Sequence, residues 1–144
     1  MAGHGPARFS ETVRRFLEAS RVPGILATVG RSGGPVTSAV WFALAGDTIL
    51  VSTPAEGTKA RNVRADGRVS FIVDSKERPY HGVAIEGVAT IVDDADLRQW
   101  RTIARRYLGD DVSPEMRTRA ESGARAIIEV IPHRVRTWNL PDTE

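Results

Sequence analysis

Residues 50–74, LVSTPAEGTKARNVRADGRVSFIVD, place a short cationic segment between two apolar runs. Ile49-Leu50-Val51 stops at the hydroxyls of Ser52 and Thr53, and a Pro/Gly loop follows. Lys59, Arg61, Asn62 and Arg64 then precede the second run, Val69 to Val73. Short apolar runs bounded by Gly and Pro read as strands. The order is therefore strand, loop, a helical turn or two, strand. Hydroxyls, free N–H groups at a helix start and several cations meet in one place, which suits a phosphate. A solvated basic helix between two strands is the other reading of the same spacing.

The rest of the chain repeats the theme of short strands and tight turns. Ser10 is placed to N-cap a helix over 11–19 with Val13, Phe16 and Leu17 on one face, broken by Val22-Pro23-Gly24. Strands are expected over 25–29, 36–44, 48–52 and 69–74, with glycine-containing turns at 31–35 and 45–47. A long strand over 80–92 contains Gly82 and Gly87, which mark a bulge or bend. Asp93 or Asp94 caps a helix over 95–107, and Ser113-Pro114 opens another over 114–122. A strand over 124–131, an interruption at Pro132 and a short strand over 135–138 complete the series, with His133 in the turn. Residues 1–7 and 141–144 read as tails around one domain over 8–140. Six or seven antiparallel strands with peripheral helices imply a mainly β, α+β fold: a closed or partly closed barrel.

Composition removes several classes. There is no cysteine, so disulfides, thiolate catalysis and iron–sulfur clusters are excluded. No apolar run is long enough to span a membrane, and no secretory signal is evident, so the cytoplasm is the expected compartment. Lys59 and Lys76 are the only lysines among otherwise arginine cations, and 18 acidic residues nearly balance 20 basic ones. No aromatic residues interleave with the cations, so nucleic-acid binding is not expected. His4, His81 and His133 lie in unrelated segments without metal-ligand spacing, and no metal site is expected. GxGxxG is absent. Asp93, Asp94 and Asp96 are better explained by a helix start than by calcium. Trp41 or Phe42 is expected in the core, and Trp100 in packing.

Taken in order, the strand ILATVG, the segment SGGPVTSAVWF, the run KARNVRADGRVSFIVD, the strand AIEGVATIVDD and the ending IEVIPHRVRTW resemble the FMN-binding split-barrel superfamily. That superfamily includes the pyridoxamine 5'-phosphate oxidases and the deazaflavin-dependent oxidoreductases. The resemblance spans about residues 10–139, and KxRNxRxDxRVS is its most specific part. It implies a homodimeric split barrel with two sites at the subunit interface. It sets Pro35, Val36, Thr37 and Ser38 beside the cofactor ring, with Ser52, Thr53, Lys59 and Asn62 around the phosphate. It makes Trp138 an aromatic that reaches the cofactor from the second subunit. Relatives often carry an arginine one or two residues before the lysine. Gly57 and Thr58 stand there in this chain, which leaves Arg61 or Arg64 to compensate.

The function so implied is hydride transfer from the deazaflavin coenzyme F-420 to a small unsaturated or quinone-like acceptor. The cofactor carries the redox chemistry, which accords with the missing acid–base constellation. Tyr80 or His81 would donate a proton to the product, unless solvent does. An FMN-dependent oxidase or reductase is the alternative. Pyridoxamine phosphate oxidation itself is disfavoured, because only Arg134 and Arg136 are at hand for a substrate phosphate near the C-terminus. A non-catalytic flavin- or haem-binding barrel is the second alternative.

Overall fold

The computed structural model describes residues 5–140. Residues 1–4, His4 among them, and 141–144, read above as parts of the tails, lie outside the described residues. Ser10 Oγ accepts from Val13 N at 3.2 Å and starts α1 (Glu11–Ala19). The strands are β1 (Gly24–Val29), β2 (Pro35–Val40), β3 (Ala43–Ala45), β4 (Thr48–Pro54), β5 (Arg68–Asp74), β6 (Gly82–Asp93) and β7 (Arg125–Trp138). The remaining helices are α2 (Thr58–Ala65), α3 (Arg98–Leu108) and α4 (Pro114–Glu121).

All seven strands form one antiparallel sheet in the order β2-β1-β5-β6-β7-β4-β3. Its edge strands β2 and β3 are joined by only Trp41 and Phe42. Three Cα–Cα steps reach at most about 11 Å. A seven-stranded sheet brings its edges that close only by curling into a barrel. No ladder joins β2 to β3 or β4, so the barrel is split along that seam. The expected single strand over 36–44 is thus two strands on opposite sides of the split.

Alternation fills the interior. Leu26, Ile49, Val51, Phe71, Val73, Val83, Ile85, Ile128 and Val130 form the core with Phe42, and α1 adds Phe9, Val13 and Leu17. Phe42 meets Phe71 edge to face at 5.2 Å. On the outer side of β3, β4 and β7, Ala43, Leu50 and Ile127 pack against Ile103 of α3, with Trp41 and Tyr107 at the margin.

Two boundaries depart from the sequence reading. Pro132 does not interrupt the last strand. The β6–β7 register shifts between Glu86 and Gly87, from Glu86↔Arg134 to Gly87↔Pro132. His133 is therefore the extra residue of a bulge, not a turn residue, and the bulge accommodates a proline that has no N–H. Pro132 O instead accepts from Ala7 N at 2.7 Å, which ties down a residue expected in the N-terminal tail. The second departure is at α3, which starts at Arg98 because Leu97 adopts a left-handed conformation (φ 59°). Asp94 still caps it, accepting from Gln99 N at 3.0 Å and Trp100 N at 2.9 Å.

Candidate functional site

β4 carries Ser52 and Thr53, but successive strand residues face opposite ways. Thr53 shares the face of Ile49 and Val51, is 1% exposed inside the barrel, and its Oγ1 has no hydrogen-bond partner. Ser52 shares the face of Leu50, toward α3. The two hydroxyls expected around one phosphate therefore do not converge.

At the seam, Ser52 and Lys59 line a cavity of about 310 Å³ with Ala39, Val40 and Trp41 of the β2 end and its connector, Trp100, Ile103 and Ala104 of α3, and Arg125. Arg125 opens β7 two residues before Ile127 and so falls on the α3 side. Its Nη2 donates to Ser52 Oγ at 2.9 Å, while its buried Nε has no partner. Burial pulls the guanidinium pKa below its ordinary value, partly offset by the charge of Asp94. The aromatic walls are fixed from outside: Trp41 stacks on Tyr107, with centroids 5.0 Å apart and planes 8° from parallel. Tyr107 is held in turn by its hydroxyl, which accepts from Phe42 N at 3.3 Å and donates to Val22 O at 3.2 Å. Burial raises its pKa. Trp100 was expected to pack and one of Trp41 and Phe42 to be core, and nothing in the sequence singled out Arg125.

Asn62 lies on α2 but looks toward β1: its Nδ2 donates to Thr28 Oγ1 at 3.0 Å, and both residues are buried. It also lines a second cavity of about 600 Å³ between the β1–β2 hairpin and α2, where Thr58, Arg31, Arg61 and Arg68 lie. Arg68 is committed to Asp66 at 2.7 Å and holds that carboxyl down to about 2. Neither arginine proposed to compensate near Lys59 reaches the seam cavity. Arg61 lines the second cavity, and Arg64 Nη1 donates to Ala55 O at 2.6 Å.

Along β2, Pro35 and Thr37 pair with Val29 and Ala27 and face outward, while Val36 and Ser38 pair with Thr28 and Leu26. Pro35 lines a third cavity of about 420 Å³ on the outer face. One edge of β2 pairs with β1, and its other edge is free at the seam. Trp138 ends β7 opposite Gly82, at the far end of that strand from Arg125. Tyr80 and His81 precede β6 there. Tyr80 is exposed beneath the Arg78 guanidinium, 5.9 Å from its ring centroid. His81 has Nδ1 2.7 Å from Pro79 O and its ring edge-on to Phe16 at 5.4 Å. Within one chain, none of these three joins Lys59.

A split barrel with a cationic, aromatic-walled cavity in its seam defines a flavin-binding type of fold. The family model described as pyridoxamine 5'-phosphate oxidase matches residues 9–139, and the chain belongs to that family. A conserved hypothetical protein of Mycobacterium tuberculosis is 30% identical, with a TM-score of 0.74, covering 100% of this chain and 96% of that one. A structure named as an F-420 reductase is 29% identical, with a TM-score of 0.76, covering 89% and 98%. A haem-binding protein of Mycobacterium smegmatis shares the fold at 23% identity and a TM-score of 0.66, covering 92% and 55%. No curated protein resembles the chain closely enough to count as a match. No described helix is long and apolar enough to cross a membrane, and no group of potential metal ligands occurs among the described residues.

Proposed function

We propose that the protein is a homodimeric, cytoplasmic oxidoreductase that uses F-420 to deliver hydride to a small unsaturated or quinone-like acceptor. The observation that carries this reading is the seam cavity, where Lys59 and Ser52 meet between aromatic walls beside the free edge of β2. The residues fit the cofactor chemically: cation and hydroxyl suit its phosphate, and unpaired strand N–H and C=O groups suit the polar edge of its ring. The 29% identity to a protein named as an F-420 reductase favours the deazaflavin. FMN is the competing occupant, because the chain belongs to the pyridoxamine 5'-phosphate oxidase family and resembles the FMN-binding split barrels.

The cofactor supplies the hydride. The chain's own residues bind, orient and exclude water. Lys59 grips phosphate, β2 between Pro35 and Ser38 aligns the ring, and Trp41 and Trp100 keep the pocket dry. Within one chain no carboxyl, imidazole or phenol lines this cavity, which leaves solvent, or Tyr80 or His81 brought in with Trp138 by the second subunit, to supply the product's proton. A second subunit has a surface to cover. Ile25, Ile72 and Ala84 form a half-buried row on the outer face, and Val88 and Val92 are 42% and 45% exposed on the same side of β6. Trp138 would then approach the cofactor bound by its partner.

Titration of purified protein with F-420 and FMN, read by fluorescence, tests the proposal. Lys59→Ala should weaken F-420 binding by about 1.5–3 kcal/mol, the range for a hydrogen bond to a charged group. Tighter binding of FMN transfers the function to the flavin, and a Soret band as purified transfers it to haem. Binding of neither coenzyme defeats it.

A further inference from the structure

We propose that Arg125 is the second cation of the phosphate grip, a ligand-binding residue acting beside Lys59 in the seam cavity. This rests on the function proposed above only for the identity of the anion's bearer; the anion site itself rests on the chain's own residues.

A guanidinium N–H shut off from water needs an acceptor. Arg125 is half-buried and has one such N–H without a partner. Its Nη2 donates to Ser52 Oγ at 2.9 Å, and its buried Nε finds no acceptor. No carboxylate forms an ion pair with it among the described residues. The acid that does act on it is Asp94, and both oxygens of Asp94 are engaged by the first N–H groups of α3. Hydrogen-bond geometry then orients the group. Ser52 accepts from Arg125, which leaves the Ser52 O–H to donate onward. Ser52 and Lys59 line the same cavity as Arg125. An oxyanion seated there receives a guanidinium N–H, a hydroxyl O–H and an ammonium N–H. Three donors bearing two positive charges suit the tetrahedrally arranged oxygens of a phosphate ester better than the two coplanar oxygens of a carboxylate.

The test compares wild type with Arg125→Gln and Arg125→Lys, each checked by thermal melting. The probes are F-420, FMN, and the phosphate-free chromophores of both. Arg125→Gln should raise the dissociation constant of the phosphorylated coenzyme by about ten- to a hundredfold and leave that of the phosphate-free chromophore unchanged. Arg125→Lys, which keeps the charge without the fork, should fall between, and it stands in if the glutamine variant does not fold. An unchanged constant, or an equal loss for both probes, overturns the assignment while leaving the proposed function intact. Should wild type bind neither coenzyme, the function falls, and inorganic phosphate judges the arginine alone. A phosphate-dependent rise in wild-type melting temperature, absent in Arg125→Gln, upholds the anion site; no rise in wild type overturns it.

Discussion

Asn62 is the residue for which the resemblance and the structure offer different roles, and a double-mutant cycle separates them. Its Nδ2 donates to Thr28 Oγ1 at 3.0 Å, with exposures of 8% and 3%, and this is the side-chain bond that joins α2 to β1. Asn62→Ala leaves the Thr28 hydroxyl buried without its donor, a loss of about 1–3 kcal/mol. For a chain of this size each kcal/mol moves the melting temperature by about 4 °C, so a central value of about 2 kcal/mol predicts a drop of about 8 °C. Thr28→Val strands the Asn62 amide and should cost a similar amount. Asn62→Ala with Thr28→Val removes both polar groups, so the pair should cost less than the sum of the singles by about 1 kcal/mol or more. Urea denaturation followed by circular dichroism measures all corners, and coenzyme titration runs alongside. Strict additivity would refute the structural reading. So would an Asn62→Ala protein that melts like wild type yet has lost its coenzyme, because the amide would then serve the ligand.

Four further outcomes are expected. Arg106 donates to Ser20 O at 2.8 Å and to Leu17 O, and its guanidinium lies 4.7 Å from the Phe42 centroid; Arg106→Ala should destabilise by about 1–3 kcal/mol, seen in urea denaturation. A Cβ at Gly87 would meet the Ile131 carbonyl across the bulge, and a backbone neighbour has little room to yield, so Gly87→Ala should cost about 3 kcal/mol by the same measurement. Asp66 is held down to about 2 by Arg68, below the ordinary 3.8. Its folded pKa is depressed, so its contribution is complete above about pH 4 and is lost as pH falls toward 2; Asp66→Asn should flatten the melting temperature over that window. The backbone N–H of Phe9, with help from Arg14, lowers the Asp47 carboxyl in the same direction, and Asp47→Asn should likewise blunt acid sensitivity in a pH series of melts.

Local signals were legible wherever a residue acts on its near neighbours. Ser10 caps α1, and Ser113 with Pro114 starts α4, its Oγ accepting from Met116 N at 3.1 Å. Gly33 and Gly46, with φ of 91° and 61°, sit in the turns that glycine marked. Asp94 was found as a cap, although a left-handed Leu97 delays the helix. Pro132 misled because a proline ends a strand unless the pairing slips beside it, and the residue against which it slips, Gly87, lies far away in sequence. The site was half legible. Lys59 and Ser52 stand in the segment that first suggested a phosphate, while Thr53 was misgrouped through a one-residue alternation that sends it into the barrel.

The sequence by itself determined the strands, their turns, the helix starts and the cationic segment after β4, because each depends on steric and hydrogen-bonding preferences within a few residues. Tertiary structure alone decided that the sheet closes through Trp41-Phe42 and that Arg125 meets Ser52 across 73 residues. It also decided that Asn62 turns to Thr28 rather than to Lys59's cavity. Those facts follow from strand register and curling, which sum over the whole sheet and leave no mark on any one segment.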